Sequence, residues 1–400
     1  MDRFMSKLKM NVNSTISRYY AFVFFKDLAF FSAVLVPFFT DWGGINLTQV
    51  QILQSWFMFW MFILEIPTGA VADFVGRKHS LALGALVVAV AALVYGSLPN
   101  FGVFLLGEFL FATAMAMMSG ADEALLYDSL KEVGREDESR KFFGRANSIR
   151  LTGMLLAAPI GSFIASRIGL NMPMVLSAIP YLLASVIAWS IREPGIRVKN
   201  SESIRYLIIV REGIKSLKEN KKLKLLAIDA IVVSSAANFI IWLYQPFLKL
   251  VGIPILYFGV VHAMLVLSEI IVSSNFERLT KILKGDKQYL RFSAAVVAFS
   301  FFLVALFPNA LSVFAFVIIG GGVGLTRLNF MSAIMNKYID SKNRATILSS
   351  ISMFRRFALV FLNPIMGFIA DRSLVVASFS VGLLALGIFL FSPLRKEALD

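Results

Sequence analysis

Lys26 and Asp27 stand inside one apolar run of this sequence, and Glu108 stands inside another. A charge within the hydrocarbon layer of a membrane costs at least about 2.5 kcal/mol on insertion scales, so each needs a partner, a water-filled cavity or a proton. Low-dielectric surroundings favour the neutral form of a carboxyl, which would let Asp27 take up and release a proton. Neighbours on a helix point about 100° apart, so Lys26 and Asp27 need not pair with each other. A bridge that only holds the fold together is the alternative role for these charges. Lys26 with Glu108 is a further candidate pair. In the second half, Asn238, Trp242, Tyr244, Gln245, His262 and Asn329 are candidates to line a cavity, where their polar and aromatic groups suit a flat or cationic organic ligand.

Several other chemistries are excluded. There is no cysteine, hence no disulfide, thiolate metal site or cysteine nucleophile. The only imidazoles are His79 and His262, so no metal site is assigned, although carboxylate ligands stay open. Nothing reads Gly-x-x-x-x-Gly-Lys-Ser/Thr, so ATP is not the expected energy source. An enzyme is not expected, nor a cofactor beyond a proton as coupling ion.

These residues must be positioned by membrane helices. Hydrophobic residues make up 58% of the chain and charged ones 16%, and the mean hydropathy is +0.75. That is too oily for a soluble domain. Twelve apolar segments are expected at about Ser17–Phe39, Val50–Ala72, Ser80–Leu98, Phe101–Leu126, Ala146–Ser166 and Met174–Ile191, then Leu225–Leu248, Ile255–Asn275, Arg291–Phe307, Ala310–Ala333, Ile347–Ala370 and Leu374–Phe391. They are numbered helices 1 to 12 below. Arg3, Lys7 and Lys9 before the first segment resemble a signal peptide, but that segment is too long for a signal core and carries Lys26 and Asp27.

The net charge of +14 falls in alternate loops, which is the positive-inside pattern and not a nucleic-acid footprint. Both termini are then cytoplasmic. The reading is a multi-pass protein of the inner or plasma membrane, with the lipid bilayer and a small-molecule substrate as partners and no nucleic acid. Basic residues crowd between Arg192 and Lys224, with Ile204, Leu207, Ile208, Ile214 and Leu217 at helical spacing. That segment is expected to be an amphipathic helix on the inner membrane surface, or else a solvated linker. The domains are therefore 1–191, a six-helix bundle; 192–224, the basic linker; and 225–400, a second six-helix bundle.

The halves look duplicated at an offset of about 204 residues. Glu65-Ile66 falls on Glu269-Ile270, Asp73 on Glu277, Arg77 on Lys281 and Gly120 on Gly324. With one residue more, Arg150 falls on Arg355, Pro159 on Pro364, and Phe163-Ile164-Ala165-Ser166-Arg167 on Phe368-Ile369-Ala370-Asp371-Arg372. Pro37 and Pro246 mark further expected bends.

Between helices 2 and 3 stands Glu65-Ile66-Pro67-Thr68-Gly69-Ala70-Val71-Ala72-Asp73-Phe74-Val75-Gly76-Arg77-Lys78. Its spacing Gly69-x-x-x-Asp73-x-x-Gly76-Arg77-Lys78 closely resembles the signature of the major facilitator superfamily of secondary transporters. Phe74 departs from it, standing where the family often has a basic residue, and Glu108 stands about where members often have an arginine. Ser119 to Asp128 and Arg344-Ala345-Thr346-Ile347-Leu348-Ser349 are further local likenesses. The resemblance implies an all-α integral membrane fold, twelve transmembrane helices in two pseudo-symmetric six-helix bundles, with substrate bound between the halves near the midplane. It implies that helices 1, 4, 7 and 10 line the cavity, which makes Asp27 the first candidate for proton binding or cation recognition, and that the protein acts as a monomer.

The resemblance also implies an inner gate, since helices 4 and 5 close against helices 10 and 11 in that family. The expected contacts are Asp73 with Arg355 or Arg356, Arg77 with Asp128, and Asp122 or Glu123 with Arg327, with Arg150 on helix 5 beside them. The likeness to drug exporters in the family points to proton-driven efflux of amphipathic organic compounds by alternating access. Uptake or uniport of a nutrient, metabolite or metal complex is the first rival. A transporter-shaped sensor or assembly partner that moves nothing is the second.

Overall fold

The computed structural model describes residues 2–195, 213, 215–339 and 344–391. Among them, eleven helices are long and apolar enough to cross a membrane. Helix 1 makes the twelfth crossing in pieces, and no strand occurs among the described residues. Most of the expected amphipathic linker lies outside the described residues.

The breaks between helices follow local chemistry. Pro99-Asn100 and Pro308-Asn309 end the preceding helices at corresponding places in the two halves, and each asparagine starts the next helix as its N-cap. Asn100 accepts from the Gly102 N–H at 2.8 Å, and Asn309 forms a reciprocal capping box with Ser312. Gly76 (φ +111°) and Gly285 (φ +126°) allow the reversals before helices 3 and 9, a backbone region costly for any other residue.

The chain forms two compact units. The first gathers helices 1 to 6 except for Ala33–Thr40 and Ile45–Ser55, which belong to the second with helices 7 to 12. In the first unit, helix 3 is gripped between helices 4 and 6 through small residues. A Cβ on Gly84 would meet Met118, one on Gly96 would meet Val175, and one on Gly107 of helix 4 would meet the Tyr95 ring. Ser80 donates to the Met117 carbonyl at 2.6 Å and Ser185 to the Ala82 carbonyl at 2.8 Å. In the second unit, Gly320, Gly321, Gly322 and Gly324 let helix 10 close onto Ser300, Leu265, Ser268 and Ala237. Lipid tails are as apolar as leucine, so this close packing and these hydrogen bonds hold the bundles where water exclusion cannot.

Two expected spans are interrupted. Helix 1 is regular only from Asp2 to Lys26 and resumes as short 3-10, α and π turns between Ser32 and Trp42. Helix 4 divides into Phe101–Met118 and Ala121–Lys131, with Gly120 at φ +73° between them.

Candidate functional site

Both interruptions bear on the charged residues. Past Lys26 the helical ladder stops: the Asp27 N–H still reaches the Val23 carbonyl, and the Leu28 N–H turns to Phe25. Helices 5 and 6 supply what the helix loses. The Phe30 N–H donates to the Ser177 hydroxyl at 3.0 Å. Gly161 and Gly153 receive the Phe30 and Phe24 carbonyls, and a Cβ on Gly161 would overlap the Phe30 oxygen outright.

Lys26 is thereby left at a helix C-terminus, and Asp122 stands in the first turn of the second piece of helix 4. Each charge sits at the helix end whose partial charge stabilises it. The two meet, with the Lys26 ammonium 3.2 Å from Asp122 Oδ2 and 3.9 Å from Asp27 Oδ2, while the Phe22 ring lies 5.6 Å from the same ammonium. Asp27 Oδ2 is buried and accepts no hydrogen bond from the described residues. Asp122 also accepts from the Glu123 N–H at 2.8 Å, and Glu123 itself is exposed. Arg150 bonds Asn147 at 2.9 Å and lies within electrostatic reach of Asp27. One lysine thus bridges two carboxylates, an arrangement able to hold a proton or a cation.

Two expected pairings are corrected. Lys26 does not pair with Glu108, which is buried on helix 4 against the Tyr95 hydroxyl. Glu108 stands fourteen positions before Asp122, roughly 20 Å along a helix at 1.5 Å per residue, beyond a lysine's reach. Arg327 does not pair with Asp122 or Glu123. It is wholly buried in the second unit, bonded to Asp229 of helix 7, to the Ser293 hydroxyl and to the Leu290 carbonyl. A guanidinium without water takes the nearest carboxylate in its own bundle.

At the hairpin, Arg77 forms an ion pair with Asp128. Glu193, at the end of helix 6, accepts from the Arg77 N–H at 2.8 Å and the Lys78 N–H at 2.9 Å, capping helix 3. A Cβ on Gly76 would press on that carboxylate at 3.3 Å. Arg192 joins Glu132 at 2.8 Å. Phe74 is exposed, and Glu65 is half-buried. The side chain of Asp73 and the surroundings of Gly69 lie outside the described residues, so its contact with Arg355 or Arg356 does too. Both arginines are half-buried on helix 11.

In the second unit the aromatic candidates form a chain. The Val36 N–H donates to Gln245 Oε1, Gln245 Nε2 donates to the Tyr244 hydroxyl, and that hydroxyl meets His262 Nδ1, each at 2.9 Å. Among the described residues, His262 Nε2 has no hydrogen-bond partner, nor does Nδ2 of half-buried Asn238. Trp242 is half-buried and Asn329 is exposed on helix 10.

Sequence reasoning missed Asp229, Glu193 and Tyr95. Asp229 carried a signal, since it falls on Lys26 at the repeat offset less one residue while Glu123 falls on Arg327. Glu193 carried none, because a carboxylate in a loop gives no sign of which helix end it caps.

The model of the Major Facilitator Superfamily matches residues 20–362. The chain belongs to that superfamily, a family of multi-pass membrane transporters of small molecules. It is 24% identical over 252 residues to a bicyclomycin resistance protein homolog of Haemophilus influenzae, covering 62% of this chain and 61% of the relative. It is 22% identical over 200 residues to an uncharacterized MFS-type transporter of Methanocaldococcus jannaschii, covering 50% of each. The chain thus spans half to three-fifths of these relatives' length. Among solved structures, the nucleoside transporter NupG superimposes with a TM-score of 0.80 at 13% identity, over 96% of this chain and 100% of that one. A D-xylose-proton symporter does so with a TM-score of 0.69 at 14% identity, over 96% and 98%. At such identities the likeness is one of fold.

Proposed function

We propose that the chain is a secondary transporter working by alternating access, in which the Lys26, Asp27 and Asp122 cluster exchanges a proton for an amphipathic organic cation and drives its efflux. The observation that carries this reading is one half-buried ammonium 3.2 and 3.9 Å from two carboxylates at the ends of two interrupted helices. With both acids ionised the three groups sum to one negative charge, which attracts a cation. With one acid protonated they sum to zero, and the cation is released. A carboxylate that must lose a proton to bind substrate couples the two flows. The relative described as a bicyclomycin resistance protein homolog supports export of a drug-like compound.

Uptake of an anion is the weaker reading. It would need Arg327 as well as Lys26, and both terminal nitrogens of Arg327 are bonded within the second unit, to the Leu290 carbonyl, Ser293 and Asp229. The same proposal places the protein in the inner or plasma membrane with cytoplasmic termini, acting as a monomer.

The test is a proteoliposome with an internal pH dye, offered lipophilic cations, sugars and organic acids in turn. Proton movement triggered by a lipophilic cation, and lost in Asp27→Asn, supports antiport through the cluster. Uptake without proton flux, or equal responses from both proteins, replaces it with uniport. If no solute moves in either protein, the non-transporting sensor takes first place.

A further inference from the structure

The second unit holds a cavity of about 440 Å³, and small-molecule sites run from roughly 300 to 1,000 Å³. It is lined by the irregular turns of helix 1, the starts of helices 2 and 12 and the end of helix 7, with apolar walls from Val36, Pro37, Leu47, Pro246, Leu250 and Leu374. Thr40, Gln245 and Lys249 complete the lining. Gln245 is buried and Lys249, one turn further on, is exposed, so the cavity deepens from the helix end inward.

The two neutral polar side chains are engaged within the protein. The Thr40 hydroxyl donates to the Val36 carbonyl at 3.1 Å. Gln245 Oε1 accepts from the Val36 N–H and Gln245 Nε2 donates to the Tyr244 hydroxyl, each at 2.9 Å. What the cavity offers an occupant is therefore mostly hydrocarbon, with one ammonium at its mouth. A sugar or nucleoside would bury more hydroxyls there than the lining can bond, and an organic cation would meet a like charge. Asp371, the acid beside Leu47, has its carboxylate occupied by the Leu47 and Thr48 N–H groups at 2.7 and 2.9 Å.

Lys249 is the exception among its peers. Arg167, Lys249 and Arg372 close helices 5, 7 and 11, on the expected outer face, where the positive-inside pattern keeps basic residues few. The two arginines correspond in the repeat, and each lies over the phenylalanine four residues back, Arg167 at 6.0 Å from the Phe163 ring and Arg372 at 3.7 Å from that of Phe368. Lys249 has Gln245 at that position and borders the cavity instead. Leu250 beside it is 56% exposed, so the mouth presents a leucine and a lysine together, which suits the boundary between acyl chains and headgroups. We infer that the cavity takes one acyl chain of an anionic phospholipid, whose headgroup rests on the Lys249 ammonium. This bound lipid is distinct from the transported compound. The inference uses the proposed orientation only in assigning the lipid to the outer leaflet.

The test is photolabelling of the purified full chain in detergent micelles with phosphatidylglycerol carrying a diazirine in one acyl chain, followed by mass-spectrometric mapping of the adducts. Phosphatidylcholine with the same chains is the comparison, and the exposed face of helix 12 at Leu383 and Leu384 sets the level of ordinary lipid contact. The expected result is adducts on residues 36–47 and 245–250 at least tenfold above that level with phosphatidylglycerol, falling at least fivefold with phosphatidylcholine or in Lys249→Gln. Leu374→Trp, which fills the cavity, should lower labelling by either lipid. Should that variant not fold, Lys249→Gln at an exposed position still decides. Adducts no denser than at Leu383 overturn the site, and equal labelling by the two lipids overturns its recognition of an anion. Labelling by a diazirine fatty acid that phosphatidylglycerol does not compete away gives the cavity to a free fatty acid and overturns it too. Since labelling in micelles requires no transport, each of these failures leaves the proposed antiport standing.

Discussion

The two halves of this protein each put an ion pair between their first and fourth helices and treat it in opposite ways. In the first half the cation is on helix 1 and the anion on helix 4; in the second, the anion is on helix 7 and the cation on helix 10. Lys26 and Asp122 keep 16% and 22% of their side-chain surface exposed, whereas Arg327 and Asp229 keep 0% and 5%. Lys26 stands where its helix breaks and has a second carboxylate beside it. Arg327 stands in an unbroken stretch, tied also to a hydroxyl and a carbonyl. Only the first pair has a second carboxylate beside its cation and keeps part of its side-chain surface exposed.

The strongest way to break this comparison is at the second pair. Removing one partner of a buried, hydrogen-bonded pair strands the other charge and costs about 3–5 kcal/mol. Arg327→Met is therefore expected to give the largest fall in melting temperature in detergent, with partial recovery on adding Asp229→Asn. An unchanged melting temperature would mean that the pair is no support, and that the halves differ less than their burial implies.

The interruption of helix 1 is the next target. Gly161→Ala forces a methyl into the Phe30 carbonyl, and overpacking of this kind costs about 1–3 kcal/mol. Gly387→Ala in helix 12 meets nothing within 4 Å and should instead stabilise by a few tenths up to about 1 kcal/mol through helix propensity. Equal effects in a thermal melt would show that helix 1 does not depend on helix 5 for its shape.

That dependence explains what could be read in the sequence. The twelve crossings were legible because an apolar run of membrane length has few other uses, and the Arg77–Asp128 pair was expected because the hairpin's spacing resembles the family signature. The break after Lys26 was not legible. Residues 27–31 contain neither proline nor glycine, and the cause lies in Gly153, Gly161 and Ser177, more than a hundred residues away. Gly120 was visible, but a glycine in a helix marks a break only where its φ is positive. The Arg327 pairing failed because opposite sign alone does not choose among acids, and Asp229 passed unseen within an apolar run.

The hairpins offer a smaller contrast. Helix 3 begins at Gly76 with Glu193 capping two N–H groups, whereas helix 9 begins at Gly285 without a side-chain cap. Losing a cap costs about 1 kcal/mol. Glu193→Ala should therefore lower the melting temperature slightly, and Gln at this position should retain part of the loss because its amide oxygen still accepts one N–H.

The smallest stability effect is expected at Lys26, and it carries the most about function. Its pair with Asp122 is partly exposed, so breaking it costs about 0–1 kcal/mol, and Lys26→Met should melt close to the unaltered protein. Its effect on transport is a separate quantity. Without the ammonium, Asp27 and Asp122 lose the charge that stands between them, and proton release on substrate binding should fall at least tenfold in the proteoliposome assay. Lys26→Arg, which keeps the charge, should restore part of it. If Lys26→Met instead lowers the melting temperature as far as Arg327→Met does, the first pair is as structural as the second, and coupling must be sought outside this cluster.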